Sequence, residues 1–366
     1  MKIAEILPKG EGFSPVQFGA IALCVRDFTC HSQYNHDITV LGGTSEEGFS
    51  GIDYIKIPQA RWYEKRTTAY ARGCVNFINS NNVALAEIHN RPNLLHYIAK
   101  KAPCRFALHL HNDAQEMKYA KTPDEREALL EICDAIYCVS GYIRDRFLDG
   151  IDSKYHHKVH IVYNGIEIPT SLPAKEKLIV FAGRMTEGKG ALLLAQALQK
   201  TLPQLQGWQT IFIGSGRHEV SDKLTAYEKE VYTTLQPISS QVQMAGFLSH
   251  AETLDYFARA EIAVIPSVWQ EPFGRTAIEA MSNGCTLISS ARGGLAEVTE
   301  AAALNISPLS AEVLANAILT LAKNQNERER YQKLARDRAM YFSIAARTNV
   351  LDKIREAILS GKPHAA

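Results

Sequence analysis

The chain has 366 residues, 46% hydrophobic and 22% charged, which is ordinary globular composition and excludes a disordered or fibrous protein. Lys and Arg number 40 against 39 Asp and Glu, and neither half of the chain is strongly basic, so charge indicates no nucleic-acid partner. The length predicts about two domains. Because no apolar run reaches ~18 residues and the start soon turns polar, we expect neither a spanning helix nor a signal peptide. An odd number of cysteines without a C-x-x-C pair predicts thiols in a reducing cytoplasm.

The first half alternates between short apolar runs and helical patterns, which predicts a parallel sheet with helices on both faces. The predicted strands lie at 2–7, 37–41, 83–88, 105–110, 135–139 and 159–162. After the first strand, Ser14 and Pro15 predict the N-cap and first residue of a helix.

A break at 169–172 predicts a linker near 168–176, after which the alternation starts again. The predicted strands of this half lie at 178–182, 210–213, 242–244, 262–265 and 286–289. A charged helix is predicted over 326–342, and apolar residues at helical spacing predict another over 345–360. The pattern therefore predicts two doubly wound α/β domains facing a cleft, with ligands beyond the carboxyl ends of their strands.

Three glycine-bearing loops follow predicted strands. The first, at 10–15, approaches the dinucleotide fingerprint, but Pro15 replaces its third glycine and no carboxylate ends the second strand, which disfavours a nicotinamide enzyme. The second, at 183–190, lacks the hydroxyl that holds Mg²⁺ in a P-loop and leaves Arg184 and Lys189 as cations for a diphosphate, or as a solvated turn. The third begins at Gly214 and is a weak nucleotide signal alone.

The most specific segment runs from Pro266 to Met281. It places Glu271 before a predicted helix starting near 274–276, and Glu279 about one turn inside that helix. Carboxylates can accept hydrogen bonds from sugar hydroxyls, and a helix N-terminus suits a phosphate. Glu279 alone could equally be an exposed helix residue.

The string E-P-F-G-R-T-A-I-E-A-M at 271–281 resembles the E-x7-E motif of retaining glycosyltransferase family 4, which has the GT-B fold. Further similarities to that family are distributed along most of the chain, at 139–140, 163–167, 183–190 and 245–248. The resemblance implies an N-terminal acceptor-side domain at 1–168, a nucleotide-sugar domain at 169–343, and a tail helix at 344–366 packing back on the first domain.

The resemblance also implies roles for individual residues. Arg184 and Lys189 would bind the donor diphosphate, Glu279 the ribose and Glu271 the transferred sugar. The remaining implied donor contacts are Gly12, Gly214, Phe247, Leu248, Phe273, Gly274 and Thr276. The loop around Gly12 departs from the family's usual double glycine, which leaves its acceptor contacts open.

His109 and His111 end a predicted strand and share one of its faces. Core histidines or, with Asp113, a metal site are alternatives, but the resemblance implies a metal-independent enzyme and assigns a strand-end histidine to the reacting sugar. We take His111 for this role, with His109 in reserve.

The implied activity is transfer of a hexose from a nucleotide-diphosphate sugar to a glycan or lipid-linked acceptor, with retained configuration and no cofactor. Lipopolysaccharide core or another surface polysaccharide is an example of such an acceptor. A sugar synthase or phosphorylase of the same fold and a non-catalytic sugar-nucleotide binder are the alternatives. Cations and aromatics at 61–72 suggest peripheral contact with the inner face of a membrane, or else an ordinary amphipathic helix.

Overall fold

A computed structural model describes residues 1–58, 65–216 and 224–361. The chain divides into two compact units, one formed by Met1–Gly165 with Ile344–Ala366 and the other by Ile166–Ser343. Ile166, expected in the first domain, belongs to the second unit because its N–H donates to the carbonyl of Phe342 at 2.9 Å.

In its described residues, the first unit contains a parallel seven-stranded sheet in the order β5-β4-β1-β6-β7-β8-β9. These strands are β1 Ile3–Ile6, β4 Ile38–Gly42, β5 Asp53–Lys56, β6 Leu85–His89, β7 Arg105–Leu110, β8 Ala135–Cys138 and β9 Val159–Ile161. The helices are α1 Ala20–His31, α2 Arg66–Asn81, α3 Pro92–Ala99, α4 Pro123–Ile132, α5 Gly141–Leu148 and α13 Ile344–Ser360. Apolar side chains of α13, including Leu351 and Ile354, are buried in the core of this unit.

The second unit contains a parallel six-stranded sheet in the order β12-β11-β10-β13-β14-β15, again counted over described residues. These strands are β10 Glu176–Ala182, β11 Gln209–Ile213, β12 Val242–Gly246, β13 Ala260–Ile265, β14 Thr286–Ser289 and β15 Ala303–Asn305. The helices are α6 Ala191–Thr201, α7 Ala226–Leu235, α8 His250–Arg259, α9 Arg275–Ser282, α10 Gly294–Thr299, α11 Ala311–Lys323 and α12 Gln325–Tyr341.

These sheets confirm the predicted fold class of two Rossmann-like α/β domains. In each unit the strand order reverses beside the first strand, between β1 and β6 in one and between β10 and β13 in the other. Ligands of open parallel sheets bind beyond the carboxyl ends of the strands at such a switch point. The loops after these four strands are therefore where a site is expected.

The sequence prediction was wrong at Ser14 and Pro15. A short antiparallel hairpin replaces the predicted helix start, with β2 at Phe13–Ser14 and β3 at Gln17–Phe18. The helix begins later, at Ala20, where the Glu11 carboxylate accepts a hydrogen bond from the N–H of Ala22 at 3.2 Å. The edge strands β5 and β15 were not predicted, because half-exposed edge strands lack the continuous apolar runs of buried ones.

Candidate active site

Glu271 lies at the switch point of the second unit, in the loop that joins β13 to α9. The residue is only 4% exposed. Its Oε1 accepts hydrogen bonds from Lys189 Nζ at 2.7 Å and from Ser267 Oγ at 2.5 Å. Both bonds use the same oxygen, so Oε2 has no hydrogen-bond partner among the described residues. The loop thus holds a carboxylate with one oxygen available for a ligand hydroxyl.

The loop after β10 lies directly against the loop that carries Glu271. Gly190, just before α6, has a φ of +74°, and a Cβ there would fall 2.0 Å from the carbonyl oxygen of Pro266. The carbonyl of Gly188 accepts a hydrogen bond from the N–H of Val268 at 2.8 Å. Glycine is therefore required for the two backbones to approach so closely, and this approach brings Lys189 to Glu271.

The two predicted cations of this loop have different surroundings. Lys189 is partly buried, and its Nζ lies 5.2 Å from the ring centroid of Trp269 in addition to its bond with Glu271. Arg184 is exposed. Sequence analysis assigned both residues to a diphosphate and did not anticipate that Lys189 would also fix the Glu271 carboxylate.

Glu279 is buried at 6% exposure, which excludes the alternative of an exposed helix residue. Its Oε1 accepts hydrogen bonds from Arg275 Nε and His250 Nε2, both at 2.9 Å. Burial alone would raise the pKa of this carboxyl, but the hydrogen bond from His250 and the positive charge of Arg275 outweigh that effect and lower the pKa. Glu279 is therefore a fixed carboxylate near the start of α9.

Sequence analysis missed His250. It is the first residue of α8, and the capping box of Ser249 and Glu252 defines that helix start. The Ser-x-x-Glu pattern just after the β12 strand was the available signal, because it places His250 beside the carboxyl edge of the sheet.

The N-terminus of α9 carries no side-chain cap. Gly274 is its N-cap with a φ of +103°, and a Cβ there would lie 2.6 Å from Leu295 Cδ1. The predicted helix start near 274–276 is confirmed, with Thr276 as the second helical residue. The Phe273 ring packs edge-on against Phe342 at a centroid distance of 5.7 Å, so it anchors the turn from the core side. First-turn N–H groups lack partners within a helix and suit an anion.

The other predicted donor residues of this unit lie on loops that contact one another. Gly214, after β11, has a φ of +120°, and its N–H donates to the carbonyl of Gly246 at 2.7 Å. A Cβ at Gly214 would lie 2.1 Å from the carbonyl oxygen of Gly183. Phe247 is 36% exposed and Leu248 is half-buried, so both present apolar surface beside these glycines.

In the first unit His111 directly follows β7, at the carboxyl edge of the sheet. Its Nε2 lies 2.9 Å from Nδ1 of His89, a residue of the neighbouring strand β6. Burial lowers the pKa of His111 to about 3, and His109 adds to this effect. His111 is therefore a neutral imidazole over the physiological pH range.

His109 lies deeper than His111. It is 6% exposed, and its Nε2 lies 3.3 Å from a carboxylate oxygen of the buried Glu87. The rings of the two histidines are within 10° of parallel, which confirms that they share one face of β7. Asp113 is not part of this cluster, because it forms an ion pair with Arg146 at 2.7 Å and caps the following turn. The third titratable group near the two rings is His89 instead.

Two further predictions of the first unit concern surface segments. Gly12 is buried in the turn before β2, where a Cβ would lie 2.6 Å from the carbonyl oxygen of Gln17. Of the cation-rich segment at 61–72, residues 61–64 lie outside the described residues, and Lys65 and Arg66 are exposed at the start of α2. Tyr70 belongs to the core, and its hydroxyl donates to the carbonyl of Leu7 at 2.9 Å. Among the described helices, none is both long and apolar enough to cross a bilayer.

Comparison with known proteins gives this geometry a class. Residues 166–338 match the family model described as glycosyl transferases group 1. The chain is 27% identical over 326 residues to spore coat protein SA of Bacillus subtilis, covering 82% of this chain and 83% of that protein. It is 22% identical over 329 residues to the lipopolysaccharide 1,2-N-acetylglucosaminetransferase of Salmonella typhimurium, covering 84% and 81%.

Among solved structures, Anabaena Alr3699/HepE in complex with UDP superimposes with a TM-score of 0.77 at 19% identity, covering 98% of this chain and all of that one. This match supports the two-domain Rossmann-like fold. Residues 166–338 form a glycosyltransferase group 1 domain, which is the domain that contains Lys189, Glu271 and Glu279. The chain is accordingly an enzyme of the glycosyltransferase class.

Proposed function

We propose that the chain is a retaining, metal-independent member of glycosyltransferase family 4 that transfers a hexose from a nucleotide-diphosphate sugar to a hydroxyl of a glycan or lipid-linked acceptor. The observation that carries this proposal is the arrangement of Lys189 and Glu271 beside the uncapped N-terminus of α9. Two buried carboxylates, a cation and a helix N-terminus thus lie at one end of one sheet.

Each group has a distinct role in donor binding. Glu279, held by Arg275 and His250 through Oε1, accepts hydrogen bonds from the ribose hydroxyls. Glu271 accepts hydrogen bonds from hydroxyls of the transferred sugar through Oε2, beside the backbone N–H groups of Phe273 and Gly274. Gly214, Phe247 and Leu248 border the nucleotide. Gly12 of the first unit permits close approach of the donor.

The diphosphate is bound by Arg184, Lys189 and the first turn of α9 around Thr276. As the bond between the anomeric carbon and the phosphate oxygen breaks, negative charge grows on the leaving diphosphate. Fixed positive groups stabilise that charge without reorganising, which lowers the barrier. Arg184 supplies a forked donor on an exposed loop, and Lys189 supplies a point charge whose position Glu271 fixes.

The acceptor hydroxyl oxygen bonds to the anomeric carbon on the face that the phosphate leaves, so the configuration is retained. Its proton passes to the departing phosphate oxygen, and neither Glu271 nor Glu279 has to act as a base. His111 hydrogen-bonds a hydroxyl of the transferred sugar. Its low pKa supports a neutral imidazole in this role.

Two similarities support narrower choices of substrate. The Anabaena structure was solved with UDP, so uridine donors come first in a test panel. The Salmonella relative is by name a lipopolysaccharide glycosyltransferase, which supports a surface glycan as acceptor at the cytoplasmic face of a membrane. Co-sedimentation with anionic liposomes, for the wild type and for Lys65→Gln/Arg66→Gln, tests peripheral membrane contact. Equal binding by both proteins would remove the contact at the start of α2.

The central experiment replaces Arg184 and Lys189 together with alanine. We expect sugar transfer to fall at least 100-fold, because the leaving charge loses both cations. The matched control replaces Lys177 and Lys200, two exposed lysines of the same unit, and should transfer at the wild-type rate. Unaltered transfer by the Arg184/Lys189 variant would overturn the proposed mechanism.

Two further measurements test the reaction class. Transfer should persist in EDTA, and a loss that Mn²⁺ restores would contradict metal independence. Proton NMR of the first-formed product should show the donor's anomeric configuration. Faster release of a sugar phosphate with orthophosphate than with glycan acceptors would instead identify a phosphorylase.

A further inference from the structure

Three polar side chains form a hydrogen-bonded row across the sheet of the first unit. Glu5 lies on the central strand β1, His89 on the adjacent β6, and His111 just after β7. His89 Nε2 lies 2.6 Å from Glu5 Oε2, and His89 Nδ1 lies 2.9 Å from His111 Nε2. His89 therefore uses both ring nitrogens to connect a buried carboxyl with the strand-end histidine.

The row is attached to the tail helix α13 through Arg355. Glu5 is 1% exposed and Arg355 is fully buried. The Arg355 guanidinium binds the Glu5 carboxyl and also contacts Glu87 at 2.6 Å and Asp352 at 3.2 Å. Buried ionisable groups are costly unless they are paired, so these partners hold Glu5 in one place.

A charge cluster that served stability alone would not need the two histidines. Arg355 already has three carboxyl partners in Glu5, Glu87 and Asp352. His89 and His111 extend the cluster in one direction only, toward the carboxyl edge of the sheet where the switch point lies. Among the described residues, Nδ1 of His111 has no hydrogen-bond partner, so the row ends on an atom available to a ligand.

The geometry of the rings disfavours a shared metal ion. Candidate ligand atoms of His89, His109 and His111 lie within 4.8 Å of one another. However, the three rings are stacked with interplanar angles of 19°, 22° and 10°. Because the lone pairs lie in the ring planes, near-parallel stacked rings do not direct them to a common centre. Both nitrogens of His89 are moreover engaged by Glu5 and His111.

We propose that Glu5 and His89 are positioning residues that fix the ring orientation and the tautomer of His111. This inference rests on the proposed function, in which His111 contacts the transferred sugar. If the bonding runs from His89 Nε2–H to a charged Glu5, His89 Nδ1 accepts from His111 Nε2–H. Nδ1 of His111 is then an acceptor for a sugar hydroxyl. A protonated Glu5 reverses every bond of the row and makes Nδ1–H a donor.

In either case the hydrogen on His111 is set at Glu5, one side chain beyond His89. Burial raises the pKa of Glu5, and the neighbouring Glu87 carboxylate raises it further against the opposing effect of Arg355. A single protonation state of Glu5 yields a single tautomer of His111. The site then presents one hydrogen-bonding polarity to the sugar, as expected for selection between hydroxyl orientations.

The test compares His89→Ala, His89→Asn and Glu5→Gln with the wild type. His157→Gln is the matched control, because His157 is an exposed histidine of the same unit outside the row. Long-range ¹H–¹⁵N spectra of histidine-labelled protein report the tautomer of His111 without any substrate. We expect one tautomer in the wild type and in His157→Gln, and a mixture in His89→Ala. His89→Asn, whose amide can both donate and accept, should restore part of the wild-type ratio.

Kinetics provide the second readout. We expect kcat to fall at least 10-fold in His89→Ala and Glu5→Gln with donor KM changed less than threefold, because binding relies mainly on the second unit. The combination of an unchanged His111 tautomer and an unchanged kcat in all three variants would overturn the proposal. Should Glu5→Gln fail to fold, the two His89 variants decide.

The two proposals fail in distinguishable ways. If wild-type protein transfers no sugar but the tautomer shifts in His89→Ala, the proposed function fails while the positioning of His111 stands. Stoichiometric binding of added Zn²⁺ that shifts the ¹⁵N signals of His89, His109 and His111 together would overturn the row in favour of a metal site.

Discussion

The two units place polar groups at their switch points by different means. In the first unit a buried cluster of charges and rings, centred on Arg355, extends from the tail helix to His111. In the second unit glycines let loop backbones approach closely, and Lys189 and Glu271 are positioned by that approach. The comparison teaches that one fold can orient its polar groups by buried electrostatics or by backbone contact, with different sensitivities to substitution.

The largest expected effect is on the buried cluster. Replacing Arg355 with Met leaves Glu5, Glu87 and Asp352 without their common cation. Breaking a buried ion pair from one side costs about 3–5 kcal/mol, so urea unfolding should show a loss of that size. Arg105→Met, which removes an exposed partner of Asp134 in the same unit, should cost less than about 1 kcal/mol. Equal losses would mean that burial does not distinguish the two arginines.

The next effect tests backbone approach in the second unit. Gly190→Ala must accept a left-handed conformation, worth roughly 1–2 kcal/mol, and must also move Pro266 and the Glu271 loop. Gly207→Ala is the control, since its φ of +78° is similar to +74° at Gly190 but its nearest contact is a flexible lysine carbon at 3.9 Å. We expect only Gly190→Ala to lose transfer activity as well as stability. A similar result for both variants would show that conformational strain, and not loop contact, matters here.

A smaller effect concerns protons in the first unit. The pKa of His111 is lowered to about 3, so the unfolded chain takes up a proton below about pH 6.5 that the folded protein refuses. Stability from this group is present above pH 6.5 and is lost as the pH falls toward 3. Between pH 7.5 and 5.5 the loss is about 1.4 kcal/mol.

The measurement is urea unfolding of the wild type and His111→Gln at both pH values. The variant should lose about 1.4 kcal/mol less on acidification, because glutamine takes up no proton. His89 and His109, whose pKa values burial also lowers, and Glu5 remain in both proteins, so their contributions largely cancel. Identical pH dependence would place His111 in water.

The smallest effect is expected at an exposed charge pair of the second unit. Arg259 Nη1 lies 3.4 Å from Glu176, and both side chains are substantially solvated. Exposed pairs contribute about 0.2–1 kcal/mol, so Arg259→Met should change the free energy of unfolding by no more than that. A larger change would show that solvated pairs matter in this unit as much as buried ones do in the first.

Much of the fold could be predicted from local sequence patterns. Buried strands such as 105–110 and 262–265 show as apolar runs, and the helix after Glu271 shows through its flanking glycines. The failure at Ser14 and Pro15 has a physical cause. A proline after serine suits a helix start and a tight turn equally, and only tertiary contacts decide between them.

The candidate site was less accessible to prediction. The motif at 271–281 identifies Glu271 and Glu279, but their partners Lys189 and His250 come from other loops, 82 and 29 residues away along the chain. The row from Glu5 to His111 connects three strands and a helix 350 residues from Glu5. Such pairings depend on strand order, which a single sequence does not specify.

The position of Arg355 also has a consequence during synthesis. Residues up to Gly165 leave the ribosome first, but the cation that neutralises Glu5 and Glu87 follows 190 positions later (355 − 165 = 190). At roughly 5–20 residues per second, translation takes on the order of 10–40 seconds to supply it. During that interval the nascent first unit holds two uncompensated acids, while the uninterrupted second unit can already mature. The last part of the chain to be made thus completes the part that was made first.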